Sequence, residues 1–179
     1  MLYTQGQHYD PTGKTDYTQW LDASAYDGVA AYLVDSLKLP NTWPQAVAIQ
    51  ANNLFVAEST YSTTSNPPSA SITWWTLNDT GKFAALSRVA LTNYVENLVT
   101  LPGLLGTKDS SGNVYLYEPV AGVLRQAGQG QIPACVYTDF TKSDGAPGQG
   151  LWVPLANYGV QAIPVAPIVV TPALAPAKP

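Results

Sequence analysis

Between Leu104 and Glu118 the chain reads as two short strand-like runs separated by Ser110-Ser111-Gly112-Asn113. In the second run Val114 and Leu116 fall on one face and Tyr115 and Tyr117 on the other, the period of a strand. Gly112 supplies the positive φ that a tight reversal needs. The pattern predicts a β-hairpin, and most of the chain beyond residue 40 repeats it. Gln45–Gln50 and Leu54–Glu58 flank Ala51-Asn52-Asn53, and Ser71–Leu77 ends at the turn Asn78-Asp79-Thr80-Gly81. Further strands are expected at Val120–Gln126, Ala134–Asp139, Leu151–Leu155 and Gly159–Val165, with Pro154 and Pro164 marking exposed edges.

Two stretches break this rhythm. From Asp22 to Leu39 the apolar residues Tyr26, Val29, Ala30, Leu33 and Leu37 recur at helical spacing, Ser24 and Asp27 form a capping-like pair, and Pro40 ends the run. A helix is expected there, with a strand at Val29–Val34 as the rival. Residues 82–101 satisfy both periods: Phe83, Leu86, Ala90, Tyr94 and Leu98 fit a helix face, whereas Leu86–Thr92 and Leu98–Leu101 fit short strands. Periodicity leaves that choice open.

The ends differ from the middle. Residues 1–19 hold Tyr3, Tyr9 and Tyr17 among polar residues without sustained period and read as an N-terminal arm. Residues 164–179 space prolines among Ala, Val, Ile and Leu, including Pro167, Ile168, Val170 and Leu174, and read as an extended, polyproline-like tail that clings to a neighbour. Residues 20–163 form the body. The expected fold is mainly β: an antiparallel sandwich or barrel-like domain built from hairpins, with one N-terminal helix and extended termini.

The turns ending at Gly81, Gly112 and Gly145 recur at similar intervals, and the segments around Trp74 and Tyr115 resemble propeller blades. Their flanks do not align, and three blades would not close a ring in one chain, so no family is assigned.

Composition narrows the function. Charged residues make up 11% of the 179-residue chain, against about 25% in ordinary globular domains. A surface this poor in charge suits a protein covered by neighbours. Net charge is −4 and the eight basic residues are scattered, which argues against a row of phosphate contacts and hence against nucleic-acid binding. Residues 1–20 lack an apolar signal core and no long apolar run occurs, so neither secretion by signal peptide nor membrane insertion is expected.

Chemistry-bearing residues are scarce. The single histidine, His8, lies in the arm, and the single cysteine, Cys135, is far from it in sequence. That excludes a Ser–His–Asp arrangement built on a body histidine and a His/Cys zinc site. Cys135 is expected to be a small buried hydrophobe. Asp109, Ser111 and Asn113 alternate as in a calcium loop, but no acid completes the set and a hairpin turn accounts for them. No cofactor or metal is expected. A glycosidase pair remains as a third choice, with Glu58 and Glu118 at strand ends.

Trp74 and Trp75 are adjacent in a strand and therefore face opposite sides. One is expected in the core; the other, with Tyr61, Pro67 and Pro68 of the Ser59–Ala70 loop, is a candidate contact for a partner or a sugar. The expected role is a structural subunit of a larger assembly, likewise a homo-oligomer. A tailed-bacteriophage virion fits best, as capsid decoration, connector or tail component. A carbohydrate- or receptor-binding module is the alternative.

Overall fold

In the computed structural model, residues 1–7, 19–39, 46–60, 69–133, 136 and 138–166 are described, those at 59 and 60 by backbone alone. They form four antiparallel meanders taken in chain order, and none closes into a barrel. Sheet I comprises β1 (Leu2–Gln7), β2 (Gln19–Tyr26) and β3 (Ala31–Lys38). Sheet II comprises β4 (Ala46–Gln50), β5 (Asn53–Thr60), β6 (Ser69–Leu77) and β7 (Phe83–Leu91). Sheet III comprises β8 (Val95–Leu101), β9 (Leu104–Asp109), β10 (Asn113–Val120) and β11 (Val123–Gln131). Sheet IV comprises β12 (Asp144–Ala146), β13 (Gly150–Pro154) and β14 (Val160–Ile163). The Leu104–Glu118 hairpin and the hairpin about Ala51-Asn52 form as the alternation predicts.

The expected helix at Asp22–Leu39 is instead the β2–β3 hairpin. Leu21 and Ala23 are buried at a spacing of two, and Leu37 packs beside them against sheet II. The residues that mimicked a cap make the turn. Asp27 Oδ1 accepts the main-chain N–H groups of Val29 and Ala30 at 2.8 and 2.9 Å, and Gly28 takes φ of +100°. Val29, the centre of the supposed apolar stripe, is 92% exposed.

Residues 82–101 resolve as β7 and β8 joined by a short bend. Among the described residues no α-helix occurs; the only helical turns are two 3₁₀ segments, Phe140–Lys142 and Ala156–Tyr158. The strand expected at Ala134–Asp139 is absent from its described residues; the Val136 N–H closes a turn on the Pro133 carbonyl. Pro154 ends β13, the middle strand of sheet IV, and not an edge.

The sheets stack face to face in sequence order. Leu21, Leu39, Leu54 and Val56 pack between sheets I and II. Phe55, Ile72, Trp74, Leu98, Leu105 and Tyr117 pack between II and III. Val99, Leu104, Val114, Leu116, Leu151, Val153 and Ile163 pack between III and IV, joined by Ile132 and Phe140. Each buried Leu, Ile or Val contributes roughly 1.5–3 kcal/mol, so every interface carries substantial stability. Sheets II and III are covered on both faces, which explains why their strands run apolar on both sides. Among the described residues, sheets I and IV have a neighbouring sheet on one face only.

Candidate contact surface

The two tryptophans sit where the stacking puts them. Trp74 is 7% exposed between sheets II and III; its ring stacks on Phe55 at 5.9 Å and its Nε1 donates to Asn53 Oδ1 at 3.0 Å. Trp75 points the other way and packs among the residues between sheets I and II, its Nε1 buried with no partner among the described residues. Neither indole is an open platform, contrary to the expectation that one would be exposed. Sheet II has a neighbour on each face, a long-range fact that adjacent residues do not reveal.

The remaining expected contacts divide in two. Tyr3 belongs to β1, on the face turned to sheet II, with its ring 6.5 Å from that of Phe83; burial pushes its phenol up from the ordinary value. Tyr9, Tyr61, Pro67, Pro68, Pro167, Ile168, Val170 and Leu174 lie outside the described residues, as does Cys135. The tail's first residues touch their own body. Val165 bridges Gly128 on β11, and the Ala166 N–H donates to the Ala127 carbonyl at 2.7 Å.

Glu58 and Glu118 are placed on different sheets, each with its own arginine. Glu58 pairs with Arg88 at 3.3 Å. Glu118 pairs with Arg125 at 2.5 Å and also accepts the Gly148 N–H at 3.3 Å. Glu118 and Arg125 line a cavity of about 750 Å³ beside the root of the tail, and Glu58 has no part in it. Burial pushes the Glu58 carboxyl up, and the nearby Arg88 offsets this only in part.

A smaller cavity of about 120 Å³ between sheets II and III reaches Asp109, Tyr115 and Tyr117. Asp109 is committed to its own turn. Its Oδ1 accepts the N–H groups of Ser111 and Asn113, and its Oδ2 accepts the side-chain amides of Asn93 and Asn113. Four donors occupy the carboxylate as a hairpin clamp. Burial, with the neighbouring Tyr115, pushes the Tyr117 phenol up to about 12. Among the described residues no group of three or more His, Cys, Asp or Glu is placed to hold a metal ion, and no helix is long and apolar enough to cross a membrane.

Among the described residues no further sheet lies on the outer face at either end of the stack. On sheet I, pairing places Leu2, Trp20, Asp22, Ser24, Leu33 and Lys38 on the side away from sheet II. Lys38 lies 5.9 Å over the Trp20 ring, and the Ser36 hydroxyl donates to Asp22 at 2.6 Å. Leu2 and Leu33 are exposed, and so are Tyr26 and Tyr32 beside the turn. On sheet IV, Leu151, Val153 and Ile163 face inward, so Asp144, Trp152, Pro154, Val160 and Ala162 face out. Trp152 is 39% exposed and Val160 63%, with Tyr158 exposed in the adjoining turn.

The sequence offered one usable signal for the sheet IV face, the alternation around Trp152, but nothing in it says which face a further layer covers. No protein-family model matches this chain, and no curated protein shows significant similarity to it.

Proposed function

We propose that the chain is a structural subunit of a larger protein assembly, most specifically a component of a tailed-bacteriophage virion such as a capsid decoration, connector or tail protein. The observation that carries the reading is the exposed apolar surface on the outer faces of sheets I and IV, at Leu2, Leu33, Trp152 and Val160, in a body whose sheets otherwise pack on one another. Apolar sheet faces of this kind are contact surfaces. The low charge content supports the same reading, because a subunit covered by neighbours needs less charge to stay in solution. The Glu58 and Glu118 carboxylates, each held by its own arginine on a separate sheet, give a glycosidase no shared site.

The test is fractionation of cells or particles that contain the chain. It is expected to sediment with a particle fraction and to resist removal by salt; recovery solely as a free chain overturns the reading.

Glycan binding is the second reading, now resting on Trp152 and not on Trp74 or Trp75. A partly exposed indole directly across from Asp144 pairs a stacking plane with a hydrogen-bond acceptor, the minimal equipment of a sugar platform. A glycan array with the intact chain and with Trp152→Ala tests it. Binding lost in the variant supports a lectin-like role, and no binding by the intact chain removes it.

A further inference from the structure

We infer that residues 167–171 of this chain add a further strand to the outer edge of β11, filling the cavity beside Glu118 and Arg125 and covering the valines next to the β10–β11 turn. The occupant is the chain's own tail and not, as the sequence alone suggests, a tail laid on a neighbour. The pairing lies within one molecule, so it holds whether or not the chain joins an assembly.

The edge is built to take a strand. Among the described residues β11 pairs with β10 along one side and, along the other, only with Val165. The two-residue turn Ala121-Gly122, with positive φ at both positions, makes Val120 and Val123 a hydrogen-bonded pair. Alternation then turns the main-chain groups of Val123 and Arg125 toward β10 and those of Leu124 outward. An edge of this kind is a template for one more strand.

The chain is already on that edge when it reaches Ala166. Gly128 admits the crossing, because a Cβ there would meet the Pro164 carbonyl oxygen. Val165 faces Gly128 in the antiparallel sense, and the Ala166 N–H donates to the Ala127 carbonyl at 2.7 Å. These contacts fix both direction and phase. The chain heads toward the Ala121-Gly122 turn, and the β-bulge that leaves Ala127 without a partner on β10 sets residue 168 beside Leu124. Because Ala166 turns its N–H to β11, residues 168 and 170 do the same, while 167, 169 and 171 turn theirs away.

The sequence fits that phase. Pro167 lacks an N–H where none is used, and Pro172 lacks one where the edge would call for it, so the pairing stops there. Between them stand Ile168, Val169, Val170 and Thr171, four β-branched residues of the kind favoured in strands.

The surface fits as well. Val165 packs against the core between sheets III and IV, so residues 167 and 169 fall on that side. Val114 and Leu116 face the same core; Glu118 and Val120 continue their alternation, with Arg125 and Val123 paired to them. Val120 and Val123 are exposed, and Glu118 and Arg125 line the cavity of about 750 Å³ together with Val165 and Ala166. Pro167 beside Arg125 and Val169 beside Val123 bring apolar surface to the arginine stem and the valines.

Residue-resolved amide hydrogen exchange on the full chain, and on a chain truncated after Ala166, tests the pairing. The Leu124 amide is expected to be protected in the full chain and to exchange at least about tenfold faster after truncation. Arg125, whose N–H faces β10, keeps its protection while the fold is intact and serves as the control. Two prolines read the phase. Ile168→Pro removes an N–H aimed at β11 and is expected to release Leu124, whereas Val169→Pro removes one aimed away and leaves it protected. If truncation disturbs Arg125 as well, the two prolines decide. A Leu124 amide unprotected in the full chain overturns the inference, as do two prolines that act alike. Protection lost on about hundredfold dilution overturns it too, since the strand then comes from another copy.

Discussion

Asp109 and Asn113 close the β9–β10 turn as one unit: Oδ1 of the carboxylate accepts the Asn113 main-chain N–H at 2.9 Å, and Oδ2 accepts its side-chain amide at 2.8 Å. Asn93 and Ser111 complete the set. Burial by itself pushes this carboxyl up, but the hydrogen bonds together outweigh it and hold it below the ordinary aspartate range. Because the folded form ionises at lower pH than the unfolded chain, the contribution is present above about pH 4 and is lost as pH falls through the depressed folded value. Asp109→Asn keeps one acceptor oxygen but puts an NH2 donor where the other stood, facing two groups that are themselves donors. Urea unfolding at pH 7 is expected to show a loss of about 2–3 kcal/mol, shrinking as pH falls below 4.

Gly112 and Gly122 separate two effects that glycines usually confound. Both have positive φ, near +80°, and both sit in turns of sheet III. A Cβ at Gly122 meets nothing within 4 Å, whereas one at Gly112 runs into the Ile132 carbonyl oxygen. The Ile132 N–H also donates to the Gly112 carbonyl at 2.8 Å, so the two backbones cannot part without losing that bond. Gly122→Ala is expected to cost about 1–2 kcal/mol from the left-handed backbone alone. Gly112→Ala should cost at least about 1 kcal/mol more, read as a lower unfolding midpoint.

The hairpins were legible because their signals are local: Val114 and Leu116 against Tyr115 and Tyr117, with a glycine at the turn, state a strand and its reversal within a dozen or so residues. The β2–β3 hairpin was not, since Tyr26, Val29 and Leu33 stand at helical intervals by coincidence and are all exposed. The buried pair that decides its period, Leu21 and Ala23, is too short to outvote them. Layering was hidden for a different reason. That Trp74 and Trp75 are each covered follows from sheets I and III lying on either side of sheet II, a relation between segments far apart in the chain. The exposure of Leu33 and Trp152 on the outermost sheets was illegible on the same account, as it is set by which sheets lie next to one another and not by the strand's own residues.

Trp74 and Trp75 are adjacent and both covered, yet their indole nitrogens have different fates. Trp74 Nε1 donates to Asn53, while Trp75 Nε1 is buried without a partner among the described residues. Phenylalanine removes the indole nitrogen in each case and leaves a similar loss of ring volume. At Trp74 the change also breaks a hydrogen bond and the full stack on Phe55. At Trp75 it relieves an unsatisfied donor. Trp74→Phe is therefore expected to be more destabilising than Trp75→Phe by about 1 kcal/mol or more, measured by chemical denaturation. Equal losses would place a hidden acceptor at Trp75.

Glu58 gives the opposite pH response to Asp109. Its side chain is 12% exposed and its arginine partner 65%, so the acid carries most of the burial while the base stays in water. The folded protein consequently holds the Glu58 proton more tightly than the unfolded chain does. Stability from this residue is full below the ordinary glutamate pKa of about 4.3 and declines as pH rises through the raised folded value. Glu58→Gln removes the decline. It gives up an ion pair worth about 0–1 kcal/mol, exposed on its arginine side, and is expected to match or exceed the parent at pH 7 while losing that advantage near pH 4. Arg88→Ala, which deletes the partial offset together with the Nε hydrogen bond to the buried Ser71 hydroxyl, should lower stability more at pH 7 than near pH 4. A Glu58→Gln variant clearly less stable at pH 7 would mean that the Arg88 pairing outweighs the cost of burial, and the two variants would then fall together.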